Sequence, residues 1–314
     1  MPIIENYMAL WSITLFGKLS IHCEDTTLQG IESRKVQELF CYLLLFQDRT
    51  HSREKLASLF WGEYSTALAK KYLRQTLWEL QSVFGSTNID TPLFLVDSGW
   101  IGISQGEHLW LDVAVFERAA QLAHGIPGAK ISQQNYQLLR EFVKLYRGDL
   151  LEGCYEDWCI LERERLQNVY LDLLDKLIDY CLANHEYEDG LVYGTQILHY
   201  DRARERTHRR LMRLYYLGGN RTEALRQYNR CAVALKEELS VPPSERTMAL
   251  VEQIRKDNIT IYPPVDHHES HSPDAHVLAN ILAHLNQLAE ALLDLQRQVQ
   301  ENAHAVQQML KNHQ

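Results

Sequence analysis

A self-similarity at a spacing of 34 residues limits what this chain can fold into more than any other feature. Tyr187-Glu188-Asp189-Gly190-Leu191 is matched by Arg221-Thr222-Glu223-Ala224-Leu225, and Leu177 is matched by Leu211 at the same offset. One more step sets Met248 opposite Leu214. A period of this length on helical patterning implies stacked helix pairs, each burying its face only against its neighbours. Gly219-Asn220 followed by Ala224-Leu225 and Tyr228 reads as the turn and second helix of one pair. The texture of long helices with brief Gly or Pro breaks begins near Asp112, so the chain is expected to be mainly α.

The first third follows different rules. Residues 10–23 alternate apolar and polar on either side of Gly17-Lys18, which predicts two short strands. Ser33 is expected to cap a helix with Val36, Leu39, Phe40, Leu43 and Leu44 on its core face. Ser52 is expected to cap a second helix that buries Leu56, Leu59, Phe60 and Trp61 and breaks at Gly62. In residues 65–84, Leu73, Leu77, Leu80 and Phe84 form one apolar stripe. Lys71, Gln75 and Ser82 project from the opposite side, with Lys70 and Arg74 on one flank. Trp78 lies between the two, where it can stack on a sugar or pack against the following hairpin, and packing is the expected role. That hairpin is predicted from residues 93–96 and 100–103 around Asp97-Ser98-Gly99. Residues 108–116 read as a further extended piece leading into helix. The order strands, helix, helix, helix, hairpin predicts a winged helix whose third helix lies in DNA.

Charge permits only a local footprint of that kind. The chain carries a net −9, unlike a basic nucleic-acid coat. Residues 30–85 nonetheless hold 8 Lys/Arg against 6 Asp/Glu. The six cysteines show no CxxC and sit mostly among apolar residues, which suits buried reduced thiols. No apolar run approaches the roughly 20 residues of a membrane span, and no signal-peptide pattern opens the chain. A cytoplasmic protein is expected. No GxxxxGK[ST], HExxH or GxSxG occurs, and no carboxylate pair stands out, so an enzyme is not expected.

Two further segments follow the repeats. Residues 263–272 carry adjacent prolines, Pro263 and Pro264, and several histidines, and read as a linker. His267, His268, His271 and His276 lack the cysteines or fixed helical spacing of a metal site, so neither metal nor cofactor is expected. From Asp274 the seam Leu278, Ile281, Leu285, Leu288, Leu292, Leu295, Val299, Asn302, Val306 and Met309 steps by three and four. That pattern predicts a coiled-coil oligomerisation helix, with Asn302 fixing register. Ala289, Ala291, Ala303 and Ala305 flank the seam where charges usually sit, and the strand number stays open.

Residues 10–262 resemble the SARP-type regulators, which join a winged helix of the response-regulator type to a bacterial transcriptional activator domain of tetratricopeptide repeats. The matching text includes Tyr146-Arg147-Gly148-Asp149-Leu150-Leu151-Glu152-Gly153, Asp157-Trp158 and Glu162-Arg163-Glu164-Arg165-Leu166. It continues in residues 210–215, 223–228 and 235–239, and in the N-terminal half at residues 52–56, 59–61 and 73–77. The tail lies outside the resemblance. The resemblance implies binding to double-stranded promoter DNA and contact with RNA polymerase or other transcription proteins. It places Lys70, Lys71, Arg74 and Gln75 at recognition-helix positions. Two departures stand out. The family's late arginines are replaced by Trp78-Glu79-Leu80-Gln81-Ser82, and no Lys or Arg occurs between Arg74 and Arg118, so the wing is bare.

Arg and Gln reach base edges while Lys meets phosphate, so specificity is assigned to Arg74 and Gln75. Ser52 and Arg53 open the second helix, where free N–H groups suit a phosphate, and Arg34 and Lys35 open the first. Arg202, Arg204, Arg206, Arg209, Arg210 and Arg213 form a second basic run, for which pairing with neighbouring helices is the commoner use. The resulting organisation is a winged helix at 9–111, an activator repeat domain at 112–262, a linker at 263–272 and a self-associating coiled coil at 273–312. The functional expectation is an activator of transcription. The rival is a protein-interaction adaptor whose winged helix has lost useful DNA affinity.

Overall fold

The structure is a computed structural model that describes residues 11–23, 26–28, 30–85, 93–104, 106 and 108–258. Its contacts divide the chain into two units, Met1–Ile259 and Thr260–Gln314. The linker and the heptad seam therefore lie outside the described residues. The first unit is mostly helical, with small strands near its N-terminus.

Strands β1 (Trp11–Thr14) and β2 (Ser20–Cys23) pair antiparallel, and Gly17 makes the reversal between them at φ +87°. Strand β3 (Thr26–Thr27) extends this sheet at β2. Helix α1 (Arg34–Leu45) follows, then the two-residue strand β4 (His51–Ser52), α2 (Arg53–Trp61) and α3 (Thr66–Gly85). Strands β5 (Phe94–Val96) and β6 (Trp100–Ile103) form the hairpin, and β4 joins it in the order β4-β6-β5. The α3 stripe is buried as the spacing requires. Phe84 meets Trp11, Phe40 and Phe94 at ring distances of 5.0, 4.8 and 5.3 Å, which ties the end of α3 to the first sheet, α1 and the wing. Winged-helix order is thus present, with a first sheet in front of it.

Three expectations are corrected here. Leu59 is 47% exposed, because α2 buries Leu56, Ala57, Phe60 and Trp61, a stripe centred on the other side. Trp78 is 68% exposed and so is not buried against the hairpin. Ser33 and Ser52 precede helices, but neither side chain makes a cap hydrogen bond. The extended piece expected near residues 108–116 is more than a lead-in: β7 (Leu109–Leu111) pairs parallel with β1 and closes the sheet as β3-β2-β1-β7. Asp112 ends it. Its buried carboxylate accepts from the N–H groups of Leu15 at 2.9 Å, Phe16 at 3.0 Å and Val113 at 2.8 Å. Burial pushes this carboxyl up to about 6.

Helix α4 (Asp112–Ala123) opens the helical half, followed by α5 (Gln133–Phe142), α6 (Asp157–Asn184), α7 (Tyr187–Tyr200), α8 (Glu205–Leu217), α9 (Arg221–Leu239) and α10 (Glu245–Arg255). Helices α7 and α9 start 34 residues apart, as the repeat predicts. In α7, Gly190 and Gly194 let α8 approach closely: a Cβ at Gly194 would lie 2.5 Å from Leu211 Cδ2. The third step of the repeat fails. Helix α9 has 19 residues against 14 in α7, so α10 begins later than the period allows. Met248 is consequently 43% exposed, whereas Leu214 is fully buried.

The two halves are spliced through residues 146–153. Gly17 N donates to Asp149 O at 2.9 Å, Leu151 N to Leu15 O at 2.8 Å and Glu152 N to Gly17 O at 2.8 Å. On its other side Arg163 holds this loop, donating to the carbonyls of Leu150, Leu151 and Cys154 at 3.0, 3.1 and 2.9 Å. Trp158, at the start of α6, meets Tyr42 of α1 edge-on at 5.4 Å. One continuous apolar core runs beneath both halves.

Candidate nucleic-acid interface

Apolar residues at every third or fourth position pull one side of α3 into the core, so the other side must face out. Lys70, Lys71, Arg74 and Gln75 are all exposed on it. An open groove runs beside this face, lined by Ser52, Arg53, Lys70, Arg74, Gly99 and Trp100. It brings together the start of α2, the flank of α3 and the turn of the wing. Four of the eight expected DNA-contacting residues line it directly.

Their electrostatics differ. Lys70 Nζ lies 2.6 Å from Glu54 Oε1, and the ammonium holds that carboxyl below its usual range. Among the described residues, neither Lys71 nor Arg74 is held in an ion pair. The Arg53 N–H, first in α2, donates to Gly99 O at 3.0 Å, and Arg53 Nη1 reaches Asp97 O at 3.3 Å. The helix start expected to offer free donors to a phosphate thus spends its first one on the wing, which it braces. Ser52 sits in β4, opposite Trp100.

Arg34 and Lys35 serve another purpose. Arg34 Nε lies 2.8 Å from Glu38 Oε1, and Lys35 Nζ lies 2.9 Å from both Glu38 Oε2 and Glu156 Oε1. Lys35 thereby joins α1 to the residue before α6. The groove does not include either residue.

The second basic run is consumed within the helical half. Arg210, 2% exposed, pairs with Asp175 and, at 2.7 Å, with Asp179 of α6. Arg204 pairs with Asp175 at 2.7 Å, Arg209 lies 3.9 Å from Glu205, and Arg202 pairs with Glu237 at 3.1 Å. Apart from Arg209–Glu205, which lies within α8, these pairs run to neighbouring helices, as the commoner reading requires.

Sequence reasoning overlooked Trp100 and Glu54. Trp100 is 52% exposed, with Leu95 and Val96 also exposed on β5. The signal was present: period two sets Ile101 and Ile103 inward and Trp100 outward. Glu54 carried none, because its partner lies 16 residues away on another helix. No group of three or more His, Cys, Asp or Glu among the described residues could hold a metal ion. His267, His268, His271 and His276 lie outside those residues.

Comparison with known proteins adds identity to this geometry. Residues 111–255 match the family model of the bacterial transcriptional activator domain. The regulatory protein AfsR of Streptomyces coelicolor is 27% identical over 225 residues, covering 71% of this chain but 22% of that protein. This chain thus spans about a fifth of the length of that relative. Among solved structures, Mycobacterium tuberculosis EmbR, determined in complex with a low-affinity phosphopeptide, has a TM-score of 0.66 at 17% identity. That likeness covers 80% of this chain and 66% of the EmbR chain, and it is one of fold. A winged helix spliced onto a segment that matches the bacterial transcriptional activator domain is the architecture that the resemblance anticipated, and the chain is similar in that architecture to the SARP-type transcriptional regulators.

Proposed function

We propose that this regulator activates transcription by binding promoter DNA through α3, with the helical half contacting RNA polymerase or another transcription protein. The observation that carries the reading is the exposed face of Lys70, Lys71, Arg74 and Gln75, opening onto a groove shared with the wing. Helix α3 enters the major groove. Arg74 and Gln75 read base edges, and Lys71 meets phosphate. Lys70 joins once DNA phosphate competes with Glu54, and the turn at Asp97-Ser98-Gly99 lies along the adjacent backbone. Ser52 and Arg53 act by bracing that turn more than by direct contact. The regions 9–111 and 112–262 are the two working domains, and residues 273–312 join protomers as a coiled coil. Pairing two weak readers raises effective concentration without new contacts. No described helix is long and apolar enough to cross a membrane, and a promoter-binding regulator works in the cytoplasm.

A salt titration of binding to DNA upstream of the neighbouring genes tests this. Log K should fall steeply with log salt, by about 0.9 per phosphate contact, and Arg74→Ala should weaken binding. Flat or undetectable binding at low salt sinks the reading. A second reading, a protein-binding adaptor, is favoured by one observation: the wing exposes Leu95, Val96 and Trp100 and carries no cation. Under that reading, removal of residues 273–314 would abolish partner capture and leave no DNA footprint to lose.

A further inference from the structure

We propose that Trp78 is a base-reading residue of α3 that senses thymine through apolar contact with its C5-methyl group, an inference that rests on the reading of α3 as the DNA reader. A helix turns by about 100° per residue, so residues at i, i+4, i+7 and i+11 share one stripe. The core stripe of α3 is Leu73, Leu77, Leu80 and Phe84, all buried. Two positions earlier, the same spacing lines up Lys71, Gln75, Trp78 and Ser82, all exposed. On this projection Trp78 falls between Lys71 and Arg74, inside the face that carries the proposed contacts. It is 68% exposed there. Trp11 and Trp61 are buried, the usual state of so large an apolar ring. An exposed ring on the outward stripe is therefore free to be covered by a partner.

The neighbours of the ring select that partner. An apolar protein surface seated on Trp78 would strip water from Lys71 and Arg74 on either side of it, at a cost no apolar contact offsets. A partner recognised by charge alone would leave the ring unused. The major groove of DNA suits both features: its walls are phosphate, and the thymine C5-methyl is the apolar group that its base edges offer. Trp78 stands one helical turn, about 5.4 Å, beyond Arg74 and Gln75, so the base pair it meets is a neighbour of theirs. No Lys or Arg follows Arg74 in α3, and the later half of the face thus contributes by contact instead of charge.

The test uses the full chain and the DNA upstream of the neighbouring genes, made once with thymine and once with uracil throughout, which removes only the C5-methyl groups. Wild-type affinity should fall about fourfold for each methyl that is contacted. Trp78→Ala should bind thymine DNA about tenfold more weakly and lose the preference for it over uracil DNA. It should keep the unfolding midpoint and the wild-type slope of log K on log salt, whereas Arg74→Ala makes that slope shallower by about one. Equal binding of the two DNAs by the wild type, or a uracil penalty undiminished in Trp78→Ala, overturns the thymine contact and leaves at most a sugar contact. An affinity of Trp78→Ala equal to wild type overturns the proposal outright and leaves the ring to a protein partner. In each of these cases Arg74→Ala still weakens binding. If the wild type binds neither DNA, the reading of α3 itself fails and this inference falls with it.

Discussion

Helices α3 and α8 both carry closely spaced basic residues, and the fold uses them in opposite ways. Helix α3 turns Lys70, Lys71 and Arg74 outward over a groove. Helix α8 turns Arg210 inward, onto Asp175 and Asp179. The difference lies outside either helix. Helix α6 presents two carboxylates one turn apart to α8, whereas α3 meets a single exposed carboxylate, Glu54, at its edge. A basic cluster is therefore an interface only where the neighbouring helix has not already neutralised it.

That contrast can be broken by substitution, most severely at Arg210. Arg210→Ala leaves Asp175 and Asp179 without their buried partner and should cost about 3–5 kcal/mol of stability, read by denaturant unfolding. Loss near the surface range of under ~1 kcal/mol would mean that the α8 pairs are ornamental. Gly194→Ala probes the same packing without charge. Its methyl would press on buried Leu211 and should cost about 1–3 kcal/mol. On the α3 side, stability should barely move. Arg74→Ala should keep the unfolding midpoint and weaken promoter binding by about 1–3 kcal/mol, with a salt slope shallower by about one. Glu54→Gln should have the smallest effect, a modest gain in DNA affinity from a released Lys70, abolished in the Lys70→Ala background. An unchanged affinity in both backgrounds would remove Lys70 from the DNA-contacting set.

The sequence carried the features that follow from short-range periodicity. The α3 stripe, the hairpin around Asp97-Ser98-Gly99 and the starts of α7 and α9 are all where spacing put them. Failures arose where a partner far along the chain decided the outcome. Strand β7 exists because β1, almost a hundred residues earlier, offers it an edge. Arg34 and Lys35 looked like phosphate ligands because Glu156 could not be placed beside them. Met248 was assigned by extending a period that the longer α9 interrupts. At the candidate interface the outward residues were legible from the helix stripe. The bracing of the wing by Arg53 was not, since it rests on backbone hydrogen bonds between segments 46 residues apart.

The splice at residues 146–153 has a geometric consequence. The two halves share hydrogen bonds and core and are not joined by a tether, so on the proposed function a DNA-bound α3 would carry the helical half at one fixed angle around the duplex. Sliding the operator by about five base pairs would swing the helical half to the opposite side of the promoter, and about ten would bring it back. Promoter output should then oscillate with operator spacing at the period of the double helix. A smooth decline with distance would show that the two halves separate on DNA.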